Sequence, residues 1–290
     1  MLSSIPSIIG TLPMIAVAIG VFIIGLGFAV TLSFTNSKLF PSFDFVGLLQ
    51  YERLWATPRW VQSVQNIWVY GAGLIGISLV MGFLLAVAMD QRIRGEDTFR
   101  TIFLYPFALS QVITGVVWAF MFDPIWGLQE AVRSWGFEDF RFAPLADGTT
   151  ALYGMIIAAV WNGVGVTMAI LLAGLRGVDE EIWKAAKVDG IPAWRTYLQI
   201  VLPMMSGAVA TALVLLLVGA VRTFDIVIAM TGGGPGIATQ VPATYVIDSI
   251  NARAVGQGMA AATSMLLPIL ALIFVIVVFR WRAKRQERAK

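Results

Sequence analysis

The stretch TALYGMIIAAVWNGVGVTMAILLAGL, which runs from Thr150 to Leu175, contains no Asp, Glu, Lys or Arg. An α-helix needs about 20 mostly apolar residues to cross the hydrocarbon core of a bilayer, so this stretch predicts a membrane-spanning helix. Five further stretches of the chain share this length and apolar character: residues 12–34, 66–89, 101–122, 201–221 and 259–281. The sequence therefore predicts an all-α membrane protein with six transmembrane helices.

The composition supports a membrane protein and disfavours several classes of enzyme. Of the 290 residues, 58% are hydrophobic and 13% are charged. A soluble domain usually has about 25% charged residues, so a water-soluble enzyme is not expected. The chain contains no His and no Cys, which excludes His-based catalytic triads, His metal sites, thiol nucleophiles and iron–sulfur clusters. We predict no catalytic and no metal-binding residues.

The basic residues are distributed unevenly between the loops. Residues 90–100 and 176–200, together with the tail from Arg280, hold 13 of the 20 Lys and Arg residues. The positive-inside rule places these three segments in the cytoplasm, and six spans then place both termini there as well. Because the basic tail follows a membrane helix, we expect it to bind anionic membrane lipid rather than nucleic acid.

No soluble domain is predicted. The first apolar stretch has no Lys or Arg before Lys38 and is longer than the apolar region of a signal peptide, so we expect a retained helix. The outer segments are too short for independent cores. The predicted organisation is a first transmembrane helix with an outer segment over residues 1–65, followed by a five-helix core over residues 66–290.

The cytoplasmic segment VDEEIWKAAKVDGIPAWRTYLQIVLPMM, from Val178 to Met205, predicts two short helices joined by a corner. Acidic residues near a helix start interact favourably with the helix dipole, and here three follow one another from Asp179. Gly190 suits the position just after a helix, with a positive φ, and Pro192 suits the start of the next helix. An amphipathic linker lying on the membrane is the alternative interpretation.

The string KAAKVDGI (residues 184–191), followed by YLQIVLP (residues 197–203), resembles the EAA loop of permease subunits of ATP-binding-cassette (ABC) importers. In that family the loop reads EAAxxDGA and then, further along, IxLP. Lys184 stands where the family usually has Glu, and Ile191 where it often has Ala. Seven residues match the pattern: Ala185, Ala186, Asp189, Gly190, Ile200, Leu202 and Pro203.

The resemblance implies the type I importer permease fold, with a coupling loop at residues 178–203 that docks on an ATPase subunit. It also implies a second permease subunit, two ATPase subunits that bind the ATP, an extracytoplasmic binding protein, and a multi-pass location in the bacterial plasma (inner) membrane. The chain itself has no P-loop and is expected to need no cofactor. The residues implied in coupling to the ATPase are Lys184, Ala185, Ala186, Asp189, Gly190 and Pro203.

Two further stretches resemble the permeases of carbohydrate importers of the maltose and glycerol-phosphate type. They are WNGVGVTMAILLAGLR, residues 161–176, and FDIVIAMTGGGPG, residues 224–236. The resemblance implies a sugar as cargo and a sugar-binding protein as partner. Glycine content alone predicts a structural turn for the second stretch, and no G-K-[ST] follows it as in a phosphate-binding loop.

The candidates for the substrate pathway are Trp161, Asn162 and Thr167, because a sugar requires polar groups that bind hydroxyls and aromatic faces. Each also has a structural interpretation: Asn162 bonds to a neighbouring helix, Thr167 bonds to its own i−4 carbonyl, and Trp161 packs. The span middles carry no charges, which disfavours an ion-coupled secondary transporter. That transporter, a membrane enzyme and an ABC permease for a non-sugar cargo are the alternatives.

Overall fold

The computed structural model describes residues 5–91 and 94–266. The backbone in these ranges is mostly helical, and its β pairing there is limited to one antiparallel bridge between Thr35 and Phe45. The predicted all-α class is therefore confirmed for the described part of the chain. The predicted sixth span, residues 259–281, lies mostly outside that part, although residues 255–266 are helical.

The helices are numbered in chain order. Two π-helical stretches continue existing helices: Ala18–Ile24 joins α1 to α2, and Thr196–Val201 joins α10 to α11. The α-helices are α1 (Ile5–Val17), α2 (Gly25–Ser33), α3 (Leu49–Ala56), α4 (Pro58–Asp90), α5 (Glu96–Ala108), α6 (Gln111–Met121), α7 (Leu128–Ser134), α8 (Ala151–Arg176), α9 (Glu180–Val188), α10 (Ala193–Arg195), α11 (Leu202–Met204), α12 (Ser206–Val221), α13 (Phe224–Met230) and α14 (Pro242–Asn251).

Three helices in the described ranges are long and apolar enough to cross a membrane: Gly10–Ser33, Pro58–Asp90 and Ala151–Arg176. Counting each of two bent helix pairs as one further span raises the number to five. These three helices agree with the predicted first, second and fourth spans. The main difference is at the start of α4, which begins eight residues before the predicted residue 66.

The predicted third span, residues 101–122, is not one continuous helix. Instead, α5 and α6 meet at a bend of 100°. Pro106 lacks the N–H that an uninterrupted helix would use, which weakens the helix just before the bend. The Ser110 hydroxyl then accepts a hydrogen bond from the Ile113 N–H (3.2 Å) and caps the start of α6.

The predicted fifth span, residues 201–221, is also bent, by 76° between α11 and α12. The Met205 backbone leaves the helical conformation (φ −89°, ψ 22°), and its side chain is buried. The turn brings α12 close to α8, because a Cβ added to Gly174 would lie only 2.6 Å from the Ala208 Cβ. Apolar length predicted one straight span over residues 201–221 and carried no information about this break.

The chain divides into two compact units, and residues 62–241 form one of them. Within this unit α8 is the most buried long helix, with 67% of its apolar window inside the protein. One end of α8 packs against α4 and the segment that leads into α12 through a cluster of buried apolar side chains. The cluster consists of Ala86, Met89, Met168, Leu171, Leu172, Leu175, Val201, Met205 and Ala212.

Residues 1–61 and 242–290 form the other unit. The N–H groups of Val255 and Gly256 donate to the carbonyls of Lys38 (3.3 Å) and Ser37 (2.8 Å). The Tyr51 and Thr263 hydroxyls are also hydrogen-bonded, at 2.8 Å. These bonds join residues 37–51 to residues 255–263 within this unit. The organisation predicted from the sequence, residues 1–65 followed by residues 66–290, stays a prediction.

Candidate functional site

The predicted coupling segment, residues 178–203, begins with a well-capped helix. The Asp179 carboxylate accepts a hydrogen bond from the Glu181 N–H (3.1 Å) at the start of α9. Glu180 and Glu181 lie in the first turn, at the positive end of the helix dipole. Lys184 pairs with Glu180 one turn away (3.1 Å), and both side chains are largely exposed, at 72% and 75%. The sequence-based expectation of a helix with an acidic start is confirmed.

The other end of α9 is closed by a sharp corner. The Ile191 N–H donates to the Ala186 carbonyl (2.9 Å) and the Gly190 N–H donates to the Lys187 carbonyl (3.3 Å). These two bonds form a Schellman motif, which requires a left-handed residue just after the helix. Gly190 has φ +69°, as the sequence predicted. A Cβ at this position would meet no atom within 4 Å, so the backbone conformation alone selects glycine here.

The two faces of α9 differ in exposure. Ala186 is 4% exposed, and the neighbouring Trp183 ring packs edge-on against Tyr197 at 5.0 Å. Ala185 lies on the exposed face together with Lys184, and the Val188 side chain is 87% exposed. Val188 is therefore one large apolar side chain on a mostly polar outer face of α9. It contributes to a partner-binding or membrane-binding surface only if neighbouring apolar side chains extend it.

The exposed apolar surface continues beyond the corner. Trp194 is 58% exposed and Leu198 is 50% exposed, and the Arg195 guanidinium lies 5.1 Å from the centre of the Trp194 ring. Pro203 is exposed within α11, where the chain turns toward α12. The residues implied in coupling therefore fall on one continuous segment, but they do not all face the same way.

A cluster of ion pairs lies at the end of α8, just before the coupling segment. Arg176, the last residue of α8, pairs with Glu96 (2.8 Å) and Asp90 (3.7 Å) and donates to the Met89 carbonyl (3.4 Å). These contacts tie α8 to the end of α4 and the start of α5. Sequence reasoning did not identify this cluster, because the partners are about 80 residues away from Arg176 and charge alone does not specify pairing.

Asn162 lies in the middle of α8 and is 4% exposed, and both its amide nitrogen and its amide oxygen have hydrogen-bond partners. Its amide nitrogen donates to the Pro106 carbonyl (2.6 Å) and to the Thr114 hydroxyl (3.2 Å). Its amide oxygen accepts a bond from the Gln111 amide (2.9 Å). The structural interpretation of Asn162, a bond to a neighbouring helix, therefore describes a contact that exists.

The other two pathway candidates also have structural contacts. The Thr167 hydroxyl donates to the Gly163 carbonyl (2.9 Å), and the side chain has no exposed area. The Trp161 ring is half-buried and packs edge-on against Trp118 at 5.8 Å. None of these contacts tests a role in cargo binding, which stays a prediction for all three residues.

Two cavities lie within residues 62–241. The smaller, of about 70 Å³, is lined by Asn162 together with Gln111 and Tyr70. The larger is an open cleft of about 480 Å³ between the starts of α4 and α8 and the glycine-rich loop. Its lining carries no charged side chain and consists of Gln62, Gln65, Asn66, Val69, Gly148, Thr149, Leu152, Tyr153, Pro235, Ile237 and Ala238.

Asp147 directly precedes Gly148 and Thr149, two residues that line this cleft. The Thr149 N–H and hydroxyl both donate to Asp147, at 3.0 and 2.9 Å. These hydrogen bonds hold the pKa of the Asp147 carboxyl below its usual value, because they favour the charged form. The residue therefore remains ionised at neutral pH.

The glycine-rich loop at residues 231–236 is closed by its own hydrogen bonds. The Thr239 hydroxyl donates to the Gly234 carbonyl (2.7 Å) and is hydrogen-bonded to the Thr231 hydroxyl (2.7 Å). From α4, the Asn66 amide donates to the carbonyls of Ala238 (2.9 Å) and Gln240 (2.8 Å). These contacts describe a rigid turn, in agreement with the prediction from glycine content.

Comparison with known proteins places the chain in a family. The sequence profile of the family described as "Binding-protein-dependent transport system inner membrane component" matches residues 78–289. A probable ABC transporter permease protein of Pyrococcus horikoshii is 35% identical over 276 residues, which cover 94% of each chain. The xylose/arabinose import permease protein XacH of Haloferax volcanii is 32% identical, over 90% of this chain and 82% of the relative.

A solved structure shows the same fold. It is the crystal structure of a bacterial ABC transporter involved in the import of the acidic polysaccharide alginate, which superposes with a TM-score of 0.70 at 21% identity. The superposition covers 94% of this chain and 91% of that chain, which confirms the predicted permease fold. The family profile matches most of the chain, and the relatives align over most of its length. The chain therefore belongs to the binding-protein-dependent transport system inner membrane components, the permease subunits of ABC transporters.

Proposed function

We propose that this chain forms half of the translocation pathway of a carbohydrate importer and that a second permease subunit forms the other half. Two ATPase subunits bind and hydrolyse the ATP, and an extracytoplasmic sugar-binding protein delivers the cargo. The relative from Haloferax volcanii, named as a xylose/arabinose permease, supports a sugar cargo. The carbohydrate-type stretches at residues 161–176 and 224–236 support it too.

The observation that carries this proposal is the geometry of α9. The helix is capped at both ends, by Asp179 and by the corner at Gly190, so it can transmit force as a rigid body. It exposes Val188, and the following segment exposes Trp194. A membrane linker needs neither the corner nor the caps, whereas a helix that docks in a groove of an ATPase needs both.

The orientation in the membrane is part of the proposal. We place both termini and the coupling segment in the cytoplasm of a bacterial cell, with six spans in the plasma membrane. The distribution of the basic residues supports this orientation, since 13 of the 20 lie in the segments assigned to that side. The cleft at the starts of α4 and α8 then faces outward, toward the binding protein.

Within the coupling segment, each residue has a proposed task. Gly190 and Asp189 form the corner, and Ala186 packs inward so that α9 stays attached to the permease. Lys184 and Ala185 face the ATPase, and Pro203 marks the point where the chain returns to the membrane. Closure of the two ATPases would push α9 and move α8, because only three residues separate the end of α8 from the start of α9.

We also propose that the cargo pathway passes Trp161, Asn162 and Thr167. The cavity that Asn162 lines and the partly exposed ring of Trp161 support a path along this side of α8. A cargo role requires the Thr167 hydroxyl to exchange its present partner during transport. Asn162 can keep its contacts with α5 and α6 and offer the cargo the second lone pair of its amide oxygen.

Gly190→Val is the sharpest test of the coupling assignment. Valine at φ +69° would strain the corner by about 1 kcal/mol or more. We expect the variant to insert and fold, because the corner lies outside the spans, and to lose most of its ability to recruit the ATPase. The measurement is the amount of ATPase subunit that co-purifies with the affinity-tagged chain from its host, together with ATP hydrolysis by the purified complex.

A matched control comes from the loop before α5. Gly95 has φ +81° and, like Gly190, would meet no atom within 4 Å if it carried a Cβ. Gly95→Val therefore adds the same kind of strain at a different cytoplasmic loop, and it is expected to keep ATPase recruitment. Full recruitment by Gly190→Val would make residues 178–203 a linker and contradict the proposal.

A further inference from the structure

The helices α5 and α6, which meet at a bend of 100°, pack against different neighbouring helices. On α8, Gly165 lets the backbone of α5 approach so closely that a Cβ there would overlap the Phe103 carbonyl oxygen. On α6, a Cβ added to Gly115 would lie 2.6 Å from the Ala229 Cβ of α13. The bend between α5 and α6 therefore separates one half held by α8 from another half held by α13.

Asn162 is the side chain that bridges this bend. Its amide nitrogen contacts the last part of α5 through the Pro106 carbonyl and the body of α6 through the Thr114 hydroxyl. Its amide oxygen accepts from Gln111, the first residue of α6. The buried Asn162 amide therefore forms hydrogen bonds with α5 on one side of the 100° bend and with α6 on the other side.

We infer that Asn162 is a positioning residue that fixes the angle between α5 and α6 and links that angle to the position of α8. When α8 moves at its Arg176 end, α5 follows through the close contact at Gly165, and Asn162 carries α6 along with it. Without the amide, α5 would still follow α8 but α6 would stay with α13. The inference concerns helices of this chain alone and holds for any cargo.

Thr167 is a buried polar residue on α8 that makes no described hydrogen bond to α5 or α6. It lies on the same helix and is as buried as Asn162, but its hydroxyl bonds only to the Gly163 carbonyl of its own helix. Thr167→Val therefore removes a hydrogen bond from α8 without touching the bend, and it serves as the matched control.

The test measures the α5–α6 distance directly. The chain has no Cys, so cysteines introduced at the exposed Ile102 and Phe120, which are 58% and 60% exposed, would be the only sites for spin labels. Double electron–electron resonance on the full chain in lipid nanodiscs then gives the distance distribution between the two halves. We expect a single narrow distribution in the labelled parent, at least twofold broadening in Asn162→Leu, and no change in Thr167→Val.

Gln111→Leu is the second variant, because it removes only the bond to the Asn162 oxygen and leaves both donor contacts in place. We expect a smaller broadening than in Asn162→Leu. If Asn162→Leu does not fold, broadening in folded Gln111→Leu supports the inference and an unchanged distribution overturns it. A parent-like distribution in both variants, or equal broadening in Thr167→Val, would also overturn it. None of these outcomes depends on the cargo, so they are independent of the proposed sugar transport.

Discussion

The first apolar helix and α8 look alike in composition and differ in surroundings. Both are long enough to cross a membrane, yet only 6% of the apolar window of Gly10–Ser33 is buried inside the protein, compared with 67% for Ala151–Arg176. Most side chains of the first helix face outward, whereas α8 is enclosed by other helices. Apolar length predicts that a helix spans the bilayer, but it does not predict whether lipid or protein surrounds it.

The glycines show which feature separates the two helices. Gly20 and Gly27 in the first helix have no atom within 4 Å of an added Cβ. In α8, an added Cβ at Gly165 would overlap a backbone carbonyl, and one at Gly174 would lie 2.6 Å from Ala208. Because lipid tails are as apolar as the side chains, close packing of small residues is a main source of helix association in a membrane. Gly165 and Gly174 of α8 are therefore contact points, whereas Gly20 and Gly27 of the first helix have no such contact within the described part of the chain.

The largest effect expected from this difference is that of Gly165→Leu compared with Gly27→Leu. Overpacking a tight core usually costs about 1–3 kcal/mol, and Gly165→Leu should exceed that range because its neighbour is backbone that cannot turn aside. Gly27→Leu adds an apolar side chain to a site with no described atom within 4 Å and replaces a poor helix former by a good one, so it should not lower stability. The measurement is the thermal midpoint of each variant by fluorescence-detected size-exclusion chromatography. Equal midpoints would show that α8 is not packed as described.

A smaller effect is expected from removing one hydroxyl in each helix. Thr167 donates to the Gly163 carbonyl (2.9 Å) and Thr31 donates to the Gly27 carbonyl (2.8 Å), so both side chains bond only to their own helices. Thr167→Val and Thr31→Val should each cost no more than about 1 kcal/mol. Uptake by the assembled transporter sharpens the comparison. A raised half-saturating sugar concentration in Thr167→Val alone would support its place in the cargo pathway, and identical uptake in both variants would return it to a structural role.

The smallest effect on stability is expected at the exposed face of α9, away from the packed core. Lys184→Glu removes the pair with Glu180, in which both side chains are largely exposed. Exposed pairs one turn apart contribute about 0.3–0.5 kcal/mol, so the thermal midpoint should barely change. If Lys184 faces the ATPase as proposed, the reversed charge lowers ATPase recruitment, measured by pull-down. Recruitment at the parental level would mean that Lys184 is exposed without touching the ATPase. A marked loss would mean that the ATPase groove has adapted to lysine in place of the family's usual glutamate.

The residues that sequence reasoning placed correctly are those whose neighbours are close in sequence. The acidic start of α9 and the positive φ of Gly190 follow from helix capping over a few residues, and both are present. The bend after α5 also had local indications, Pro106 and Ser110. The prediction passed over them because it used only the length and apolarity of residues 101–122.

The hydrogen-bond partners that sequence reasoning did not identify lie in distant parts of the chain. Asn162 meets Pro106 across 56 residues, and Arg176 meets the Met89 carbonyl across 87 residues. Composition showed that these side chains are polar and lie within or at the end of an apolar helix. Their partners depend on how the helices pack, and apolar length and local motifs do not predict which helices meet. The bend at Met205 belongs to the same class, since it accompanies the close packing of α12 on α8 at Gly174 and Ala208.

The glycine-rich loop has a further consequence for association with a partner. A flexible loop that orders on binding loses conformational entropy, which costs roughly 1–2 kcal/mol for each residue fixed. Here the hydroxyls of Thr231 and Thr239 and the amide of Asn66 already hold residues 231–240 in one conformation. A protein that docks on this loop would therefore meet a surface that is ordered in advance. Docking on this loop would avoid that entropic cost, so more of the contact energy would remain as affinity.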